Sequence, residues 1–293
     1  MSAPRIANAP LSYGAFEYTV GTSFPVPDAE RVLGEVTAAG YEGIDLGPPG
    51  YLGDVATLAQ RLGPLGLAGG FVPVAFSEEW DFAGLHATLD LFDAAGATSA
   101  HPVLCDAGGP ERIANPGAGA ALALDETRWR RLVEGVERAA EIARERGYAP
   151  VFHHHTSTYV EGVPEIERFL ADTDVPLLLD SGHLAIAGGD PVGALDDWRD
   201  RVGAVHIKDA RLDVVAGVKA DRADTLTAWR RGIFCALGEG DVDLTGFCAG
   251  LDGYTGWVVV EQDRLLADNN GAFAAAAAEQ IANREWLRAN AGW

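Results

Sequence analysis

The sequence predicts one domain, a (β/α)8 TIM barrel filling residues 1–293, on three observations. Short, continuously apolar runs recur along the chain, longer amphipathic stretches separate them, and several runs break off abruptly in histidine or carboxylate residues. Strands buried on both faces read as unbroken apolar runs, and their alternation with helical patterns argues for βα units around a parallel sheet. In such barrels the chemistry gathers at the carboxyl ends of the strands.

Taken in order, strands are expected at 6–9, 43–46, 68–73, 99–104, 151–155, 176–180, 204–208 and 257–261. Eight parallel strands are the number that closes this barrel. Helical periodicity fills the intervals at 28–39, 54–62, 82–94, 126–146, 164–171, 191–198 and 272–289. The clearest is 126–146, where Trp129, Leu132, Val133, Val136, Ala140 and Ala143 share a face and Gly147 supplies the stop. Two connections exceed what a barrel needs: 106–125, rich in Gly, Ala and Pro, and 209–241. Both leave strand carboxyl ends, so both are expected to cover the site.

Composition narrows the function. A formal charge of −21 repels phosphate backbones and anionic membranes, so neither nucleic acid nor membrane is expected as a partner. Cys105, Cys235 and Cys248 are odd in number and widely spaced, which suggests neither a disulfide framework nor a thiolate zinc site. They read as core residues. The opening lacks a signal-peptide pattern and the alanine-rich stretch at 272–278 is too short to span a bilayer, so a soluble, cytoplasmic protein is expected.

Four of the apolar runs end in potential metal ligands: Val151-Phe152-His153-His154-His155, Leu177-Leu178-Leu179-Asp180, Ala204-Val205-His206-Ile207-Lys208 and Val258-Val259-Val260-Glu261. Side chains alternate along a strand, so His153 and His155 point one way and His154 the other. His153, Asp180, His206 and Glu261 can therefore converge on one divalent cation, with either His153 or His155 in the first position. Mixed imidazole and carboxylate ligands suit Mn²⁺, Fe²⁺, Co²⁺ or Zn²⁺ better than Ca²⁺. A cation holding a carbonyl and its neighbouring hydroxyl acidifies the α-C–H, which permits isomerisation or elimination. His183 and Lys208 lie close enough in sequence to face the same cavity, the former as a substrate-binding group. Gly238-Glu239-Gly240 lacks the spacing and context of a dinucleotide fingerprint, and Trp129, Trp198 and Trp257 read as packing.

These residues resemble the xylose-isomerase-like (sugar phosphate isomerase/epimerase) superfamily of barrels and, within it, the inosose dehydratase family. The resemblance runs through Ala7-Asn8-Ala9-Pro10-Leu11-Ser12, Gly40-Tyr41-Glu42-Gly43-Ile44-Asp45-Leu46-Gly47-Pro48, His153-His154-His155-Thr156 with Tyr159-Val160-Glu161, Leu179-Asp180-Ser181-Gly182-His183, His206-Ile207-Lys208-Asp209 and Gly238-Glu239-Gly240. In the wider superfamily the ligands are typically Glu, Asp, His and Glu. The last three fall on Asp180, His206 and Glu261, while His153 stands where Glu is usual, a departure that favours the dehydratase branch. The resemblance implies a metal-dependent lyase acting on 2-keto-myo-inositol or a related keto-cyclitol. Mn²⁺ or Co²⁺ is the expected metal, with Zn²⁺, Fe²⁺ or Mg²⁺ as alternatives. His155, Lys208 or Glu261 would carry protons, and Glu17, Asp45, His101 and Asp106 would bind hydroxyls. The rival readings are a ketose or keto-inositol isomerase or epimerase, a β-eliminase of 3-keto-glycosides, and a catalytically silent sugar-binding subunit. Barrels of this kind are often homo-oligomers.

Overall fold

The computed structural model describes residues 3–293. Strands β1 (Arg5–Asn8) and β2 (Gly43–Ile44) are followed by β3, which runs as Gly66–Leu67, breaks at Ala68 and resumes as Gly69–Val74. Then come β4 (His101–Asp106), β5 (Val151–His153), β6 (Leu177–Asp180), β7 (Val202–Ile207) and β8 (Trp257–Val260). Every pairing is parallel, in the order β3-β2-β1-β8-β7-β6-β5-β4 and back to β3. The two halves of β3 join the ends of this series: its first half pairs with β2 and its second with β4. The barrel therefore closes through one broken stave.

Each expected strand is present, but the fourth is shifted two residues along the chain. His101 opens β4 and Asp106 ends it, which puts these two residues at opposite ends of the barrel.

Side-chain alternation splits the strands into two packed layers. Phe152, Leu177, Leu179, Val205, Ile207, Val258 and Val260 face the helices and join the main core. Val151, Leu178 and Ala204 face the barrel interior with Val103, and Ala7, Ala9, Ala68, Trp257 and Val259 fill the rest of it. Two residues further along each inward row come His153, Asp180 and His206. The pleat itself thus delivers these polar groups to the interior one layer above an apolar floor.

At the amino end, Trp257 lies so close beneath β2 and β3 that a Cβ at Gly43 would sit 2.7 Å from its ring and one at Gly66 2.8 Å. The Arg5 guanidinium stacks 4.0 Å from the Trp257 ring centre.

The expected helices form, led by Glu126–Glu145, whose first turn is capped by Asp125 accepting from the amides of Thr127 and Arg128. The structure adds Ser181–Ile186 and Leu244–Gly250. The two long connections are also partly ordered: Pro110–Ala114 in the first, Leu212–Asp221 and Thr225–Arg230 in the second. A two-stranded antiparallel ribbon, Asp209–Ala210 with Phe234–Cys235, closes the base of the second. The last helix, Gly271–Asn290, is locked to the barrel by buried amides: Asn8 donates to Gln280 at 2.9 Å, and Gln280 donates to Gln262 at 3.1 Å. Among the described residues, no helix is long and apolar enough to cross a membrane.

Candidate active site

A cavity of about 280 Å³ opens at the carboxyl end of the barrel. His153, His206, Lys208, Glu261 and Asp263 line its base; His155, Thr156, Asp106, Asp45 and Glu17 line its sides. Phe16, Tyr18, Phe71 and Trp229 give it an aromatic wall.

His153, Asp180, His206 and Glu261 are all buried, and one ligand atom from each lies within 4.8 Å of the others. His206 Nδ1 is 3.0 Å from Glu261 Oε2 and 3.7 Å from Asp180 Oδ2, and His153 Nε2 is 3.9 Å from that same Asp180 oxygen. Asp180 Oδ2 and His206 Nδ1 nevertheless have no aligned hydrogen bond among the described residues. Buried polar atoms are nearly always satisfied, so an orphaned carboxylate oxygen and imidazole nitrogen converging on one point fit a cation between them. The electrostatics agree. Burial alone would lower the His206 pKa, but Glu261 and Asp180 outweigh it and raise it to about 10. Burial would raise Asp180, yet Lys208 and the surrounding histidines hold it well below the usual carboxylate range. The field at this point draws positive charge.

A second trio, His153, His155 and His183, also brings ligand atoms within 4.8 Å. It is a poorer cation site, because the Lys208 ammonium already lies 3.0 Å from His183 Nε2.

Lys208 is fully buried and held by carboxylates: Asp263 at 2.7 Å, Glu261 at 3.1 Å and Asp180 at 3.5 Å. Burial opposes its charge, but these anions outweigh that cost and raise its pKa. It is a fixed cation. An ammonium can only donate, so His183 Nε2 accepts, its Nδ1 carries the proton, and that proton is donated to Thr156 Oγ1 at 2.9 Å. His155 is fixed by the same logic. Its Nδ1–H donates to the Thr156 carbonyl at 2.7 Å, which leaves Nε2 unprotonated. Burial, with the Lys208 charge, lowers its pKa to about 4, so the ring is neutral. His154 faces away from the cavity and accepts from the Asp180 amide at 3.1 Å.

Asp45 accepts from the Leu46 amide and Asp106 from the amides of Gly108 and Tyr159, so both are tied to backbone. Glu17 reaches the cavity from the loop after β1. His101 corrects the sequence reading: at the start of β4 it hydrogen-bonds the Ala149 carbonyl at 2.8 Å, at the amino end and outside the cavity.

Sequence reasoning missed Asp263, although Glu261-Gln262-Asp263 continues the inward period of two. It also missed the Phe16, Tyr18 and Trp229 cluster, whose members come from two distant loops. The Gly238-Glu239-Gly240 run has a structural explanation. The Gly238 and Gly240 amides donate to Asp209 Oδ2 at 2.8 and 3.0 Å, and a Cβ on Gly240 would collide with Asp209 and with the Ala210 carbonyl.

A family model for the xylose isomerase-like TIM barrel matches residues 33–290. Inosose dehydratase from Geobacillus kaustophilus (strain HTA426) is 34% identical over 251 residues, covering 80% of each chain. Among solved structures, L-ribulose 3-epimerase superposes with a TM-score of 0.67 at 18% identity, covering 99% of this chain and 95% of its own. The IOLI protein, solved with a zinc atom, gives 0.65 at 15% identity, covering 98% of both chains. These two establish the fold alone. The chain belongs to the xylose isomerase-like TIM barrel family and, within it, to the inosose dehydratase family.

Proposed function

We propose that the protein is a divalent-metal-dependent dehydratase of 2-keto-myo-inositol or a closely related keto-cyclitol. The observation that carries this reading is the buried His153, Asp180, His206 and Glu261 set, with Asp180 Oδ2 and His206 Nδ1 left unsatisfied where its ligand atoms meet, in a chain of the inosose dehydratase family. A cation bound there supplies Lewis-acid polarisation of a substrate carbonyl. Two imidazoles and two carboxylates suit Mn²⁺, Fe²⁺, Co²⁺ or Zn²⁺; the family resemblance implies Mn²⁺ or Co²⁺, and the zinc in the IOLI protein keeps Zn²⁺ as the first alternative.

The protein's own groups do the rest. His155 presents a neutral, unprotonated Nε2 to the cavity and takes the proton α to the carbonyl. Lys208 keeps its proton and places a fixed positive charge where the substrate oxygen gains negative charge. Glu261 serves as ligand and as anchor for Lys208. Asp45 and Asp106 offer acceptors to ring hydroxyls. The aromatic wall excludes water from the far face of the ring.

The test is mass spectrometry of 2-keto-myo-inositol incubated with metal-stripped protein, with and without Mn²⁺ or Co²⁺. Metal-dependent loss of one water is expected. A new product of unchanged mass would instead assign an isomerase or epimerase.

A further inference from the structure

Six carboxylates stand in or beneath the cavity; three are committed to charged partners, and two are tied to backbone through one oxygen each, with Asp106 Oδ1 left unpaired. Asp180 and Glu261 belong to the cation site, Asp263 grips Lys208, and Asp45 and Asp106 accept backbone amides. Glu17 is the sixth. Among the described residues its side chain makes no ion pair, and its carboxylate is hydrogen-bonded by its own backbone amide.

The loop that presents Glu17 is built to hold it still. Gly14 turns the chain with φ +85°, and Thr19 bridges the loop by donating to the Gly14 carbonyl at 2.7 Å and accepting from the Phe16 amide at 3.0 Å. The residues on either side of Glu17 are anchored as well. The Phe16 and Tyr18 rings each meet Trp229 edge-on, with centroids 5.2 Å apart. Glu17 is thus a carboxyl without an ionic partner on a braced support at the cavity, the arrangement expected of a group that acts on a ligand. It follows β1, whereas His155 follows β5. In the closed sheet order these strands are four staves apart, on opposite sides of the barrel.

We propose that Glu17 is the catalytic acid that protonates the departing β-hydroxyl, with His155 as the base in the same cavity; this rests on the dehydratase reading above. His155 Nε2 removes the α-proton, and the C–H electron pair becomes the new carbon–carbon double bond. The β-carbon–oxygen bond breaks, its electron pair takes the Glu17 proton, and water leaves. Glu17 ends as carboxylate and His155 as imidazolium, and exchange with solvent resets both. A residue in this role must be protonated part of the time near neutrality. Glu17 keeps solvent contact at the cavity mouth, but desolvation by the surrounding protein, reinforced by the negative charges of Glu261, Asp45 and Asp263 and opposed by its own amide, raises its pKa to about 7.

The separation of acid from base supplies the test. Mn²⁺-loaded wild type, Glu17→Gln and Glu17→Asp are incubated with 2-keto-myo-inositol in D₂O, following α-proton exchange by NMR and water loss by mass spectrometry. Glu17→Gln is expected to exchange the α-proton at close to the wild-type rate while water loss falls about 10²- to 10⁴-fold. Glu17→Asp, which keeps an acid, should recover part of that loss. Metal content and melting temperature of both variants should match the wild type. Three results would overturn the assignment: undiminished water loss by Glu17→Gln, a raised KM with unchanged kcat, or joint loss of exchange and elimination. A wild type that exchanges without losing water, or does neither, overturns the dehydratase reading and this inference with it.

Discussion

The two ends of this barrel are made from the same eight strands by opposite means. At the amino end, Trp257 fills the space left by Gly43 and Gly66, and Arg5 covers its ring, so that order comes from shape. At the carboxyl end, two layers higher, the interior holds Asp180, Glu261, Asp263, Lys208, His153 and His206, each costly to bury. Buried ion pairs contribute little net stability, because desolvation offsets most of their attraction. One end closes the fold, and the other is maintained for chemistry.

Substitutions at the two ends should therefore separate stability from function. The largest effect is expected for Asp180→Asn. It should abolish metal-dependent water loss and weaken metal binding by more than about 100-fold, since changes to the groups that merely support a ligand already cost roughly 10- to 100-fold. Metal content after gel filtration, beside the product mass, checks this; a variant that retains both would remove Asp180 from the ligand set.

Metal itself should stabilise the carboxyl end. Mn²⁺ at about 100 times its Kd should add about 2.7 kcal/mol to the unfolding free energy of the stripped protein. Chemical denaturation with and without the ion measures it, and identical curves would argue against a cation site.

Gly43→Ala tests the packed end. Its Cβ would meet the Trp257 ring at 2.7 Å and the Gly66 carbonyl at 2.8 Å, so overpacking should cost about 1–3 kcal/mol. Metal affinity should not change, and a parallel loss would show that the two ends are coupled.

The smallest effect is expected for His101→Ala. It removes one hydrogen bond to Ala149, worth about 0.5–1.5 kcal/mol, and should leave metal affinity and turnover untouched. Reduced turnover at constant stability would place His101 in the chemistry after all.

The same contrast explains what could be read from the sequence. Apolar strands that stop in His, Asp or Glu are visible because burial and chemistry are both written as residue type, which is why β5 through β8 and the His153, Asp180, His206 and Glu261 set could be found. The end of β4 was harder to locate. In His101-Pro102-Val103-Leu104-Cys105-Asp106 the apolar run gives no sign that pairing continues through Asp106. Leu244–Gly250 carries glycine within and at its end, so its periodicity is weak; Asp243 caps its first turn, and packing of Leu244, Phe247 and Cys248 completes it. The meeting of Trp229 with Phe16 and Tyr18, and the placement of Glu17 at the cavity without an ionic partner, depend on loops that converge in space. No local pattern encodes either.

The amide lock on the last helix bears on how the chain is made. Asn8 and Gln280 are 272 residues apart, and β1 has its partner β8 almost as far down the chain. At about 5–20 residues per second, roughly 15–50 s separate the emergence of Asn8 from that of the group it bonds. For most of that interval one edge of β1 has no strand to pair with. The nascent chain must protect an open sheet edge until β8 is synthesised, and the amide lock closes only after that, so aggregation during translation should be sensitive to changes in β1 and β8.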